Sequence, residues 1–160
     1  MDKELLHVQI ISALKSRYDI AYSAAKQAYE TATHEENVAE NKYDTLGLEA
    51  SYLAEGQARR MAEAENALKT FERLKPKNFG EDDAIQFGTL IGLRELGTGR
   101  DEAASEVFLS PVAGGLIVDF NGRQVLLLSK LAPLGKALFG AYLEDEVELG
   151  DKRYLVESIS

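Results

Sequence analysis

The chain has no cysteine and no tryptophan, only three prolines among its 160 residues, and two histidines. Without cysteine there is no disulfide, no thiol nucleophile and no cysteine-based zinc site. His7 and His34, one near each end of a predicted helix, are too few for a histidine-rich metal centre. No apolar run approaches the roughly 20 residues a membrane helix needs. The opening Met1-Asp2-Lys3-Glu4 lacks the apolar stretch of a secretory signal, so elimination leaves the cytoplasm as the expected location. A net charge of −9 argues against wrapping duplex DNA, whose phosphates are met by Lys and Arg. It leaves room for a basic protein partner or a cation, and equally for charge that serves only solubility. With 45% hydrophobic and 28% charged residues, the composition is that of a folded chain rather than a disordered one.

Between Met1 and Leu74 there is no proline, and Ala, Glu, Lys, Gln and Leu dominate, all good helix formers. Ile11, Leu14, Tyr18, Ala21, Ala25, Ala28 and Ala32 recur at the three-four spacing of a helix–helix seam. Tyr43, Gly47, Ala50, Ala54, Gln57, Met61, Ala64, Leu68 and Phe71 repeat it, broadened by Leu46, Leu53, Ala67 and Leu74. Bulky members sit at the outer ends of the two seams and small members toward the middle. Folding the chain back near residues 35–44 sets bulky against bulky and alanine against alanine, so an antiparallel hairpin is predicted. Each arm of roughly 30 residues would be about 45 Å long. Such a hairpin covers its own apolar stripe, and a monomer is expected.

The pattern stops at Leu74-Lys75-Pro76-Lys77-Asn78-Phe79-Gly80, where proline disfavours further helix. Three regions follow: a hairpin over 1–75, a linker over 76–80 and a strand-rich domain over 81–160. In the last, strands are predicted over Ala84–Leu93, Ser105–Leu109, Leu116–Phe120, Gln124–Leu128, Glu146–Leu149 and Arg153–Ile159. Gly97-Thr98-Gly99, Asn121-Gly122 and Gly150-Asp151 read as turns, and Pro133–Phe139 as one short helix stopped by Gly140. The fold class is α+β: a helical hairpin, then an antiparallel sheet packed on one helix.

No nucleophile constellation, phosphate loop or dinucleotide fingerprint is present, so an enzyme with its own pocket is not expected. The informative stretch is the predicted hairpin turn, His34-Glu35-Glu36-Asn37-Val38-Ala39-Glu40-Asn41-Lys42-Tyr43-Asp44. Four carboxylates crowd it and Lys42 is its one cation. Carboxylates on a turn are commonly solvated residues or helix caps. Clustered, they are also how proteins hold hard divalent cations such as Mg²⁺. Spacing alone points to a metal or a basic partner at the end of a long probe.

These segments resemble the bacterial Gre family of transcript cleavage factors. Glu40-Asn41 matches the Glu-Asn of the family's hairpin-tip motif, and Glu55-Gly56 falls without a gap on its later Glu-Gly pair. Gln86-Phe87-Gly88-Thr89 is similar to the family's Phe-Gly-Ser segment. Ala132-Pro133-Leu134-Gly135-Lys136-Ala137-Leu138-Phe139-Gly140 is similar to its Ser-Pro helix, and Glu144-Asp145-Glu146-Val147 to its Gly-Asp-Glu-Val. The matches run in order along nearly the whole chain.

The resemblance implies an FKBP-like C-terminal domain docked at the mouth of the secondary channel of RNA polymerase, with the hairpin inside the channel. Glu36, Glu40 and Asn41 would act in trans beside the nascent RNA 3′ end. Glu36 and Glu40 would share Mg²⁺ with the polymerase, and the chain would hold no cofactor of its own. Asn37 stands where the family has its tip aspartate, with Glu36 adjacent, and Tyr43-Asp44 replaces the family's Glu-Tyr. The alternatives are a relative that occupies the channel without efficient cleavage and, from another class, a chaperone or prolyl isomerase suggested by the FKBP-like domain.

Overall fold

The computed structural model describes residues 2–34, 46–97 and 104–160. The chain divides into two compact units, one of Met1–Ile10 with Leu74–Ser160 and one of Ile11–Arg73. The first ten residues, which the sequence pattern assigns to the hairpin, thus group with the sheet. None of the described helices is long and apolar enough to cross a membrane.

Helix α1 (Lys3–Thr33) contributes to both units. It starts at Asp2, whose Oδ1 accepts hydrogen bonds from the amides of Glu4 (3.1 Å) and Leu5 (3.2 Å), the usual carboxylate N-cap. Helix α2 (Leu46–Arg73) returns alongside α1. Leu14, Ala25 and Ala28 on α1 and Gly47, Ala64, Ala67 and Phe71 on α2 are buried, as the seam requires. Ala24, Gln27, Ala28 and Thr31 share a groove of about 330 Å³ with Ala50, Leu53 and Gln57. The last turns of α1 therefore lie beside the first turns of α2, and the pair is antiparallel. Leu53 is the exception to the seam: it stays 58% exposed at the groove's edge.

The other unit carries a six-stranded sheet of β1 (Leu90–Leu96), β2 (Ser105–Ser110), β3 (Ile117–Phe120), β4 (Arg123–Ser129), β5 (Glu146–Leu149) and β6 (Lys152–Ile159). The order across it is β3-β4-β2-β1-β6-β5. Four pairings are antiparallel, but β2 and β4 run parallel, Val107 beside Leu126 and Leu109 beside Leu128. The sheet is mixed, which corrects the all-antiparallel expectation. The β3–β4 hairpin is inserted so that its second strand, not its first, meets β2. The two-residue turns are as predicted. Asn121 and Gly122 both have positive φ (54° and 76°), the type I′ arrangement, and Gly150 has φ 63° between β5 and β6.

Helix α3 (Pro133–Leu138) begins with proline and ends before Gly140, whose φ of 87° stops it. It lies against a core of Phe79, Ile85, Ile91, Leu93, Val107, Leu109, Leu128, Leu138, Val147, Val156 and Ile159. Strand alternation puts Leu90, Phe108, Val118, Phe120, Val125 and Leu127 on the opposite face, also buried. Gly135 presses α3 onto the end of β4: a Cβ there would lie 2.0 Å from the Ser129 carbonyl oxygen, so only glycine fits.

Candidate functional site

The last turn of α1 is tied by Thr31 Oγ1 to the Gln27 carbonyl (3.0 Å) and by Thr33 Oγ1 to the Tyr29 carbonyl (2.9 Å). His34 is exposed. On α2, Ser51 Oγ donates to the Gly47 carbonyl at 3.0 Å. The residues singled out for chemistry, Glu36, Glu40 and Asn41, lie between these helix ends and outside the described residues, as do Asn37, Lys42, Tyr43 and Asp44. Glu55 is described and carries an exposed i,i+4 pair with Arg59 at 3.7 Å. A Cβ on Gly56 would meet nothing within 4 Å, so packing inside the hairpin does not demand glycine there. Among the described residues no group of three or more His, Asp or Glu could hold a metal ion.

The sheet unit presents a surface that sequence patterning does not reveal. Alternation predicts one strand over Ala84–Leu93, but residues before Thr89 form a turn. The Gln86 amide donates to Thr89 Oγ1 and the Thr89 amide to the Gln86 carbonyl, both at 3.1 Å. Gly88 takes φ 89°, and its amide reaches the Leu109 carbonyl at 2.8 Å. Ile85 instead pairs through its backbone with Gly140 and Ala141, both at 2.8 Å. That pairing lays 85–88 beside 139–141 and turns Phe87 outward.

The Phe87 and Phe139 rings meet edge-on, centroids 5.5 Å apart and planes at 65°. The Lys130 ammonium sits 3.7 Å from the Phe139 centroid, a cation–π contact. Next to Lys130, Leu131 is 82% exposed. Two rings and one cation thus cluster at this surface, and an unburied leucine follows the cation in the chain. The signal available in the sequence was Leu131, a large apolar residue just before Ala132-Pro133, where the chain enters a helix whose own apolar residues face the other way.

No protein-family model and no curated protein matches the chain. Among solved structures it is similar to the GreA factor homolog 1 (Gfh1) protein of Thermus thermophilus, at 18% identity over 95% of both chains with a TM-score of 0.37. A structure described as the transcription factor Gfh1 aligns at 20% identity and TM-score 0.38, covering 94% of this chain and 93% of that one. Thermus aquaticus Gfh1 aligns at 22% identity and TM-score 0.35, covering 94% of each. At these values the likeness carries no argument about function, which rests on the chain's own residues.

Proposed function

We propose that the chain is a Gre-like transcription factor that binds RNA polymerase, places the end of its hairpin in the secondary channel and stimulates Mg²⁺-dependent cleavage of backtracked RNA. The observation that carries the proposal is the pairing of α1 and α2. Two helices of 31 and 28 residues, joined through a segment that holds Glu35, Glu36, Glu40 and Asp44, make a thin probe whose connection is rich in carboxylates. The ordered family-like motifs in the sheet unit support the same reading.

The oxygen donors of Glu36 and Glu40 are of the hard type that Mg²⁺ takes, so the residue types fit an ion shared with the polymerase. Bound there, the ion would lower the pKa of its water and clamp the scissile phosphate. The chain's part is to supply negative charge through Glu36 and Glu40 and to orient groups near the RNA 3′ end through the Asn41 amide. In this scheme the chain is not itself an enzyme. The Phe87–Phe139–Lys130–Leu131 surface is proposed to dock the sheet unit on the polymerase.

RNA cleavage by stalled, backtracked polymerase, with and without the protein, tests this directly. Glu40→Ala is expected to abolish stimulation while polymerase affinity stays nearly unchanged. Leu131→Asp is expected to weaken binding at little cost in stability, since an exposed site typically changes it by about ±0.5 kcal/mol. Undiminished cleavage with Glu40→Ala sinks the mechanism. One feature favours the second reading, a channel occupant without efficient cleavage: Asn37 puts a neutral amide where the family has an aspartate. If wild type binds without cleaving and Asn37→Asp gains cleavage, that reading holds.

A further inference from the structure

Asn121 is the chain's only asparagine followed by glycine, and both residues are exposed at the end of the β3–β4 hairpin. They form its two-residue turn, with φ of 54° and 76°, between the paired residues Phe120 and Arg123. The Gly122 amide donates to Asp119 Oδ1 at 3.2 Å, a bond that spans the turn. Strand β3 lies at the edge of the sheet with β4 as its neighbour. The turn is therefore placed to open locally while the rest of the sheet stays folded.

We propose that Asn121 is a self-modification site, where the Gly122 nitrogen displaces ammonia from the side-chain amide, and that the Asp119–Gly122 bond keeps the reaction slow while the turn is closed. Glycine favours the attack because no side chain beside the nitrogen hinders its approach. The Gly122 nitrogen loses its proton and bonds to the Asn121 Cγ. The Cγ–Nδ2 bond breaks, and Nδ2 takes up a proton and leaves as ammonia. Water then opens the five-membered succinimide at either carbonyl, giving aspartate or isoaspartate. No oxidant or reductant is involved.

Two features of the closed turn oppose this chemistry. Ring closure rotates the Asn121 ψ away from the small positive value of a type I′ turn, so the turn must open first. The attacking nitrogen must also lose its proton, and the Asp119 carboxylate that accepts this N–H holds the proton in place. A carboxylate is far too weak a base to remove it, and its charge disfavours an anion on a nitrogen 3.2 Å away. The product matters to the sheet. Isoaspartate routes the main chain through its side chain, adding one backbone carbon to a loop whose length fixes the β3–β4 register. Val118 and Phe120 are buried in that register.

Incubation of the full chain at mildly alkaline pH, with peptide mapping by mass spectrometry, tests the proposal. Conversion of amide to acid is expected at Asn121 well ahead of Asn66 and Asn78, which precede Ala67 and Phe79. Enzymatic methylation of the free α-carboxylate identifies isoaspartate in the product. In guanidinium chloride, where the turn is lost, Asn121 should convert faster by on the order of tenfold or more. Asp119→Ala, at an exposed position, should keep the folded circular dichroism spectrum. It should speed conversion in the folded chain roughly 2- to 10-fold, the range set by losing one exposed hydrogen bond. That gap should close in guanidinium chloride. Folded wild type that converts as fast as the denatured chain, no conversion in either state, or an Asp119→Ala rate equal to wild type overturns the proposal.

Discussion

The two units use their buried residues differently. In the sheet unit Ile85, Ile91, Leu93, Leu109, Leu127 and Leu138 are almost wholly buried, and the layers on both faces of the sheet are made of large side chains. Much of the hairpin seam is alanine: Ala25, Ala28, Ala64 and Ala67 are buried, while Ile20, Tyr29, Tyr52 and Leu53 remain exposed. Since hydrophobic stabilisation scales with apolar area removed from water, the sheet holds itself together while the hairpin trades core for reach. Under the proposed function, the width of such a hairpin, more than its stability, would limit where it can go.

The contrast predicts unequal responses to substitution. Leu109→Ala, at the centre of the sheet's core, should cost about 2–5 kcal/mol in denaturant unfolding followed by circular dichroism. Gly135→Ala, driven against the Ser129 carbonyl, should cost about 1–3 kcal/mol and be felt in β4 and α3 by hydrogen exchange. Ala25→Leu would over-pack a close-approach layer of the hairpin and cost about 1–3 kcal/mol. A rise in melting temperature would instead show room at that layer. Leu53→Ser, at the exposed edge of the groove, should shift stability by no more than about 0.5 kcal/mol. If Leu53→Ser proved as damaging as Leu109→Ala, the division between a self-sufficient sheet and a thin hairpin would be wrong.

Periodicity made the hairpin legible, because a seam repeats at the spacing of the helix that carries it: Leu14, Ala25, Ala28, Ala64 and Phe71 are buried where the pattern placed them. Turn chemistry located the β3–β4 and β5–β6 hairpins, since positive φ at Asn121-Gly122 and Gly150 is written in residue type. Alternation misled at Ala84-Ile85-Gln86-Phe87. A buried Ile85 beside a polar Gln86 looks like a strand, yet Ile85 bonds to the chain after α3 and Phe87 faces out. The parallel β2–β4 pair was invisible because alternation fixes which face a residue takes and not which strand lies beside it. Burial of Lys3 was equally hidden, as its acceptors are backbone oxygens more than seventy residues away in sequence. The acidic site residues were legible as a composition; their geometry lies outside the described residues.

The strand order also sets a sequence of events in time. The β3–β4 and β5–β6 hairpins close over two-residue turns and can form within microseconds. Joining β1 to β6 brings Ile91 to Ile159 across most of the unit, and β2 must find the far strand of a hairpin already made. Loop-closure entropy is spent there before any contact repays it. Assembly should therefore be limited by the two central seams, with the outer hairpins waiting, and substitutions in β1 or β6 should slow folding more than equal losses in β3 or β5. During that wait β1, which ends in the middle of the sheet, has its β6 edge unpaired, and the interval in which the chain is most exposed to association with other chains is the one before its middle strands meet.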